Sequence, residues 1–135
     1  PDIVHCHGWL ASLVPLYLRK LYSDDPVFSK VKSVYSVYNN GFKKPLKSSL
    51  SDKLVADGID ETAVRAIRGN ADFTGLTTLA AENSDGVIFG CEKIDEQLKK
   101  KITAMGKPLL DYQGEENYID AYNDFYDKLL LESAK

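Results

Sequence analysis

The stretch that decides the fold is Pro1-Asp-Ile-Val-His-Cys-His-Gly-Trp9, followed by Leu10-Ala-Ser-Leu-Val-Pro-Leu-Tyr-Leu18. Its apolar pair Ile-Val predicts a buried strand that ends in His5-Cys6-His7. Gly8 then allows the chain to turn, and an apolar pattern with helical spacing follows. A buried strand that runs through a glycine into a helix is the first half of a βαβ unit. Because ligands bind beyond the carboxyl ends of strands in parallel sheets, we expect residues 5–8 to line a binding site.

The rest of the chain alternates between strand and helix signals. Further strands are predicted at 32–37, 86–89 and 108–110, and helices at 9–22, 48–56, 60–69, 75–83, 94–105 and 117–132. This alternation predicts an α/β fold with a parallel, Rossmann-like sheet in one domain.

Two helices carry more specific expectations. In the first, Pro15 removes a hydrogen bond and should kink or restart the helix. Apolar residues spaced three and four apart predict one buried stripe on it: Leu10, Leu13, Val14, Tyr17, Leu18 and Leu21. The same spacing predicts a packing face on the last helix: Tyr118, Ile119, Tyr122, Phe125, Tyr126, Leu129 and Leu130.

Composition excludes several classes of protein. The 135 residues are 44% apolar and 27% charged, with a formal charge of −3, which offers no basic surface for nucleic acid. No apolar run approaches the roughly 20 residues of a membrane span, and no secretory signal is recognisable. Cys6 and Cys91 fit no metal motif and indicate reduced thiols in a cytoplasmic protein.

Three stretches resemble motifs of one family, the bacterial glycogen synthases and plant starch synthases of glycosyltransferase family 5. Residues 1–18 resemble that family's "PDVVHAHDWHTALVPLYL". The sequence Ser36-Val-Tyr-Asn39 with Gly41-Phe42 is similar to a shortened "TIHNLAYQGIF", and Asn83-Ser-Asp-Gly-Val87 is similar to "YADRVTTVS". The three motifs occur in the family's order, and the resemblance covers nearly the whole chain.

The resemblance implies that residues 1–135 are the later part of the N-terminal, Rossmann-like half of a GT-B glycosyltransferase. Such enzymes transfer glucose from ADP-glucose to the non-reducing end of an α-1,4-glucan, with retention and without a metal or other cofactor. The glucan acceptor lies mainly on this half and the donor nucleotide mainly on the other. We therefore interpret the chain as a segment of a longer protein, in which the strand before Gly8 is central and a sheet edge is left exposed.

The chain departs from the family's pattern at three cleft positions. Gly8 replaces a carboxylate, Tyr38 replaces a histidine, and about Thr78 replaces a lysine. A phenol titrates near 10 and cannot replace imidazole at neutral pH. The family's Gly-rich "KTGGL" loop and its donor domain fall outside the sequence. We therefore assign no catalytic residue and predict that the segment alone is inactive.

The residues that we assign to substrate binding end or follow the first two strands. They are His5, His7, Gly8, Trp9, Tyr38 and Asn39. The two histidines are two residues apart on a strand and point to the same side, where they line a sugar cleft or bond to local backbone groups. A metal would need a third ligand that is not suitably spaced. Trp9 either stacks on a glucose ring or belongs to the core, and residues 38–40 either bind sugar hydroxyls or form a plain turn.

Two other groups favour ordinary structural roles, and a third is a weaker candidate for the site. Lys43, Lys44 and Lys47 are typical of a solvated surface, although they could meet a phosphate. The tyrosines of the last helix indicate packing and not a carbohydrate platform. Residues 111–114 follow the last strand and are a weaker candidate for ligand contact.

Two functional hypotheses remain. The first is a glycogen or starch synthase segment with an α-glucan acceptor and, by resemblance, ADP-glucose as donor. The second is a non-catalytic relative that binds glucan or a protein; the charged end Glu132–Lys135 resembles a true C-terminus and favours it. Either protein could pair with a second copy through its exposed sheet edge.

Overall fold

The computed structural model describes residues 1–133, and it confirms an α/β fold with a parallel sheet. The strands are Ile3–His7 (β1), Lys32–Val37 (β2), Gly86–Phe89 (β3) and Leu109–Leu110 (β4). The α-helices are Val14–Lys20 (α1), Leu50–Ala56 (α2), Phe73–Glu82 (α3), Glu96–Thr103 (α4) and Tyr118–Ser133 (α5). Two 3-10 helices cover Trp9–Ala11 and Glu61–Ile67. The predicted chain end at Lys135 lies outside the described residues.

The four strands lie in the order β1-β2-β3-β4, and every neighbouring pair is parallel. In the register, His7 lies opposite Ser36, and Val37 lies opposite Phe89. The carboxyl ends of the first three strands therefore come together at one edge of the sheet, where the sequence predicted a site.

The sheet is covered on both faces. The face toward α3 and α4 is apolar and is formed by Cys6, Tyr35, Val37, Val87 and Phe89. On the other face, α5 packs through Phe125 and Leu129 onto Val34 and Ile88. A second apolar cluster joins α1, α2, the second 3-10 helix and α3 beyond the sheet.

The first predicted helix is two helices. A 3-10 turn at Trp9–Ala11 precedes α1, and Pro15 lies in the first turn of α1, where its missing N–H leaves no hydrogen bond unmade. The predicted restart is confirmed. The single buried stripe is wrong at two positions, because Leu10 is 84% exposed and Val14 is 40% exposed. Leu10 lies in the 3-10 turn and Val14 in α1, so the predicted residues do not lie on one continuous helix face.

The predicted packing face of α5 is correct only beyond its first turn. Phe125 and Leu129 are buried, and Tyr122 and Tyr126 are half-buried against the same cluster. In the first turn, however, Tyr118 is 42% exposed and Ile119 is 60% exposed. That turn leaves two large side chains open to solvent.

Aspartates define the starts of three helices. Asp72 and Asp95 accept backbone hydrogen bonds from Gly75 and Leu98 at the starts of α3 and α4. Asp60 caps residues 61–67 through the N–H of Thr62, as expected, but that segment is a 3-10 helix and not the predicted α-helix.

Among residues 1–133, β1 is an outer strand and not the central strand that we expected. Its bonds to β2 include those of the Asp2 carbonyl and the Gly8 N–H, so the even-numbered residues direct their backbone groups toward β2. The N–H and C=O groups of Ile3, His5 and His7 consequently point to the open edge. No helix in the described chain is long and apolar enough to cross a membrane.

Candidate functional site

β1 directs His5 toward the face that α5 covers, where hydroxyl groups hold both of its ring nitrogens. Nδ1 lies 2.5 Å from the Tyr126 hydroxyl, and Nε2 lies 2.6 Å from the Ser36 hydroxyl. A neutral imidazole has one donor and one acceptor, so one of these hydroxyls donates and the other accepts. The ring is thereby fixed in one orientation.

His7 lies on the same face, nearer the carboxyl end of β1. Its ring stacks on that of His5, with 4.0 Å between the centroids and 20° between the planes. Its Nδ1 lies 2.8 Å from the Tyr38 hydroxyl. Within residues 1–133, Nε2 has no hydrogen-bond partner and the residue is exposed. One face and one nitrogen of His7 are held, and the other nitrogen is open to a ligand.

Both imidazoles are neutral at pH 7. Burial, and then the nearby charge of His7, lower the pKa of His5 from 6.5 to about 4. Burial of the inner side of its ring also lowers the pKa of His7. Burial similarly raises the pKa of the Tyr126 phenol. The hydrogen-bond and stacking partners of the two histidines within residues 1–133 are therefore neutral rings and hydroxyls.

Gly8 turns the chain directly after His7, in a backbone conformation that other residues avoid. Its φ is 75° and its ψ is 173°, a region that is essentially restricted to glycine. A Cβ at this position would point toward Tyr38 and Asn40, with its nearest atoms 3.9 Å away. There is space for a side chain, but the backbone conformation would be strained by one. The family's carboxylate would therefore carry a strain cost in this turn.

Tyr38 lies across the end of β3. A Cβ on Gly90 would come within 2.5 Å of the Tyr38 ring, so the ring occupies the space above that glycine. The Gly90 N–H donates to the Val37 carbonyl at 2.8 Å and holds the two strand ends together. Sequence reasoning missed Gly90, although a glycine directly after a buried strand was a signal of close approach.

Trp9 belongs to a separate aromatic group. Its half-buried ring lies 4.6 Å from that of Phe42, which in turn contacts Phe73 edge-on. Among the described residues, no ring contact joins Trp9 to His5 or His7. Asn39 is exposed and its side chain makes no hydrogen bond among the described residues. The structure thus gathers His5, His7, Gly8 and Tyr38 at one place and leaves these two outside it.

The tyrosines of α5 were predicted to pack, and Tyr122 and Tyr126 do so. They also contact His5, because their ring centroids lie 5.8 and 5.7 Å from that of His5. The histidine cluster therefore comprises His5, His7, Ser36, Tyr38, Tyr122 and Tyr126. Sequence reasoning missed this role. Their four-residue spacing indicated a shared helix face but not the strand against which it packs.

The remaining candidates lie elsewhere. Thr78 is 2% exposed within α3, so this position is not open to a ligand. Lys43, Lys44 and Lys47 are exposed and form no ion pair in the described chain. Beyond β4, Asp111 accepts a bond from Gln113 through its carbonyl. Within residues 1–133, no three His, Cys, Asp or Glu side chains are grouped so that they could hold a metal ion.

The first 94 residues match the profile of the starch synthase catalytic domain. The chain belongs to this family. It is 49% identical over 115 residues to the glycogen synthase of Chlorobium phaeobacteroides, covering 76% of this chain and 24% of that enzyme. It is 32% identical over 108 residues to the glycogen synthase of Chlorobium luteolum, covering 78% of this chain and 21% of that enzyme.

A shorter match, 46% identical over 43 residues, joins it to the glycogen synthase of Koribacter versatilis and covers 32% of this chain and 9% of that enzyme. The chain therefore spans about a quarter or less of the curated relatives that it matches. No solved structure matches it. β1, β2 and β3 lie within the family match at residues 1–94, whereas α5 lies beyond it.

Proposed function

We propose that this chain forms the acceptor side of a glycogen-synthase-like glucosyltransferase and binds an α-1,4-glucan at the carboxyl ends of β1 and β2. In this proposal it is one cytoplasmic, Rossmann-like domain segment of a larger protein, with the ADP-glucose site elsewhere. The observation that carries the proposal is His7, whose exposed ring is fixed by His5 and Tyr38 while its Nε2 stays open.

The chemistry of this cluster suits a neutral sugar. A glucose ring offers C–H faces that pack on aromatic rings and hydroxyls that both donate and accept. The open Nε2 of His7 is one hydrogen-bonding group, and the Tyr38 hydroxyl is its fixed neighbour. Because the depressed pKa values keep both imidazoles neutral, the cluster offers hydrogen bonds without a charge that would favour a phosphate.

The same residues do not support the chemical step. Glycosyl transfer from a nucleotide sugar builds negative charge on the departing diphosphate, which cations must stabilise. The contacts of His5 and His7 are with Ser36, Tyr38 and the α5 tyrosines, none of which is a cation. Gly8 also lacks a carboxylate. The role that fits this chain is binding and orientation of the acceptor.

Calorimetric titration with maltoheptaose tests the binding, with cellohexaose as the β-linked control. We expect heat from the α-linked sugar only, and a loss of affinity of about threefold to tenfold in His7→Ala, the size of one hydrogen bond. Tyr22→Ala is the control and should leave the affinity unchanged, because Tyr22 is 45% exposed and belongs to the segment after α1. The absence of heat at millimolar maltoheptaose would contradict the proposal and favour the non-catalytic protein-binding alternative.

A second measurement addresses catalysis. Incubation of the chain with ADP-glucose and glycogen should release ADP at no more than the rate of a buffer control. ADP release above that rate would show that the missing cations and carboxylate are not required, and would overturn the binding-only role.

A further inference from the structure

Gly90 directly follows β3, and its own backbone does not require a glycine. Its φ lies outside the left-handed region, in which four other glycines of the described chain lie. What requires a glycine is space, because a Cβ at this position would lie 2.5, 2.6 and 3.0 Å from three carbon atoms of the Tyr38 ring. Carbon atoms in contact are normally about 3.5–4.0 Å apart. The glycine is therefore needed to accommodate the side chain of Tyr38.

Tyr38 is held close to Gly90 by the backbone. The Gly90 N–H donates to the carbonyl of Val37, the residue directly before Tyr38, at 2.8 Å. Because this bond fixes the two strand ends, a side chain at position 90 could be relieved only by rotation of the half-buried Tyr38 ring. The hydroxyl is the atom of that ring farthest from the backbone, so such a rotation would displace the hydroxyl most.

The Tyr38 hydroxyl determines which edge of the His7 ring is open to a ligand. Stacking on His5, with 4.0 Å between the centroids, fixes the plane of the His7 ring. A half-turn about the Cβ–Cγ bond would keep that plane and exchange Nδ1 with a carbon atom, so stacking alone allows two orientations. The 2.8 Å bond between Nδ1 and the Tyr38 hydroxyl selects one of them. In that orientation, Nε2 is the nitrogen that stays open.

We infer that Gly90 is a positioning residue of the sugar site, because it admits the Tyr38 ring whose hydroxyl orients His7. The inference rests on the proposed function and extends that site to the end of β3. It also joins two departures from the family's motifs. Tyr38 replaces the histidine of "TIHN", and Gly90 replaces the second valine of "YADRVTTVS" when that motif is continued from Val87. A valine would place three side-chain carbons where a single Cβ is already too close, so the tyrosine requires the glycine.

A double-mutant cycle on the whole chain tests the inference, with the ¹⁵N shifts of the His7 ring and the calorimetric affinity for maltoheptaose as readouts. In Gly90→Ala we expect the His7 shifts to change and the affinity to fall about threefold to tenfold, as in His7→Ala. In a Tyr38→Ala background, Gly90→Ala should change neither readout further, because the ring that it displaces is absent. Tyr22→Ala, at a 45% exposed site after α1, is the control and should change neither.

Tyr38→Phe separates the orientation of His7 from the stability of the fold. This variant removes the hydroxyl while its ring still covers Gly90, so it should reproduce the shift change and the loss of affinity even if Gly90→Ala does not fold. Unchanged His7 shifts in Tyr38→Phe or in folded Gly90→Ala would overturn the inference. Equal losses of affinity from Gly90→Ala in both backgrounds would also overturn it.

The ¹⁵N shifts distinguish this inference from the proposed function, because they are measured without sugar. If the wild type does not bind maltoheptaose but the His7 shifts respond as expected, the proposed function is overturned and only the orientation of His7 by Gly90 and Tyr38 is retained. If maltoheptaose binds and the shifts do not respond, the proposed function stands and the role of Gly90 is overturned.

Discussion

The two faces of β1 differ in what holds them. Toward α3 and α4, Cys6 is 5% exposed within a fully apolar cluster. Toward α5, His5 and His7 replace apolar side chains and are held by hydroxyls of Ser36, Tyr38 and Tyr126. Because successive residues of a strand point to opposite faces, one five-residue strand supplies both environments.

This difference indicates that one face of the strand stabilises the fold and the other binds a ligand. Apolar packing stabilises through close contact over a large buried area, whereas a polar network is specific and costly when it is incomplete. Local departures from apolar patterning are expected at functional sites. We therefore expect the α3–α4 face to dominate the free energy of unfolding, and the α5 face to control ligand binding and pH response.

The largest effect should come from the apolar face. Phe89 is 2% exposed, so Phe89→Ala should lower the free energy of unfolding by about 3–5 kcal/mol through lost burial and a cavity. Urea denaturation followed by circular dichroism measures this. Leu10→Ala, at an 84% exposed site, is the control and should stay within about 0.5 kcal/mol. Similar costs for both variants would mean that burial of Phe89 does not stabilise the apolar face as described.

The next largest change in the free energy of unfolding should come from Gly8, which forms the turn directly after β1. Gly8→Ala and Gly8→Asp should each cost about 1–3 kcal/mol, because φ is 75° and ψ is 173° at this position. The two costs should be alike, since backbone conformation and not the carboxylate causes them. A Gly8→Asp variant that is as stable as the wild type would show that the turn readily adopts the geometry of the family's carboxylate.

On the α5 face we expect His5 to make the free energy of unfolding depend on pH. The folded pKa of His5, about 4, lies below its unfolded value of 6.5, so the unfolded chain binds more protons between these values. Stability is therefore complete above pH 6.5 and falls as the pH drops toward 4. Allowing for solvent screening of this half-buried ring, the loss is about 1–2 kcal/mol. The difference between the unfolding free energies of the wild type and His5→Asn, measured at several pH values, separates the contribution of His5 from that of the carboxylates. If the two free energies fell in parallel with pH, the His5 contribution would be absent and the prediction would be wrong.

The smallest change in the free energy of unfolding should come from removing the Tyr126 hydroxyl. Tyr126→Phe removes the partner of His5 Nδ1 and should cost about 1 kcal/mol while the ring packing is kept. The ¹⁵N shifts of the His5 ring should change, because its tautomer is no longer fixed from that side. Tyr118→Phe, at an exposed ring, should leave both the stability and these shifts unchanged. Unaltered His5 shifts in Tyr126→Phe would show that Ser36 alone orients the ring.

Much of the sheet was predictable because its strands are buried on both faces. β2 and β3 begin and end at the predicted residues, since β-branched and aromatic runs between turn residues leave little choice. The later helices were placed with ends shifted by up to two residues, whereas in the first predicted helix the α-helical part, α1, begins only at Val14. At Glu61–Ile67 the segment forms a 3-10 helix, which apolar spacing does not distinguish from an α-helix over so few turns.

The site was only partly predictable. The period of two along β1 brought His5 and His7 to one side, and the strand ends brought Tyr38 near them. Tyr126 is 121 positions away from His5, and Ser36 is 31 away, so their contacts depend on how α5 and β2 pack. No local pattern carries that information. Gly8 shows the reverse case: its replacement of a carboxylate was visible in the sequence, but its backbone conformation was not.

The open edge of β1 has a consequence for the exchange of amide protons with heavy water. Amides directed into the sheet are protected by bonds to β2, whereas those of Ile3, His5 and His7 meet solvent. Deuterium should therefore enter this strand at every second residue. Another β-strand laid against the edge would remove the alternation, so the exchange pattern records whether the edge is occupied.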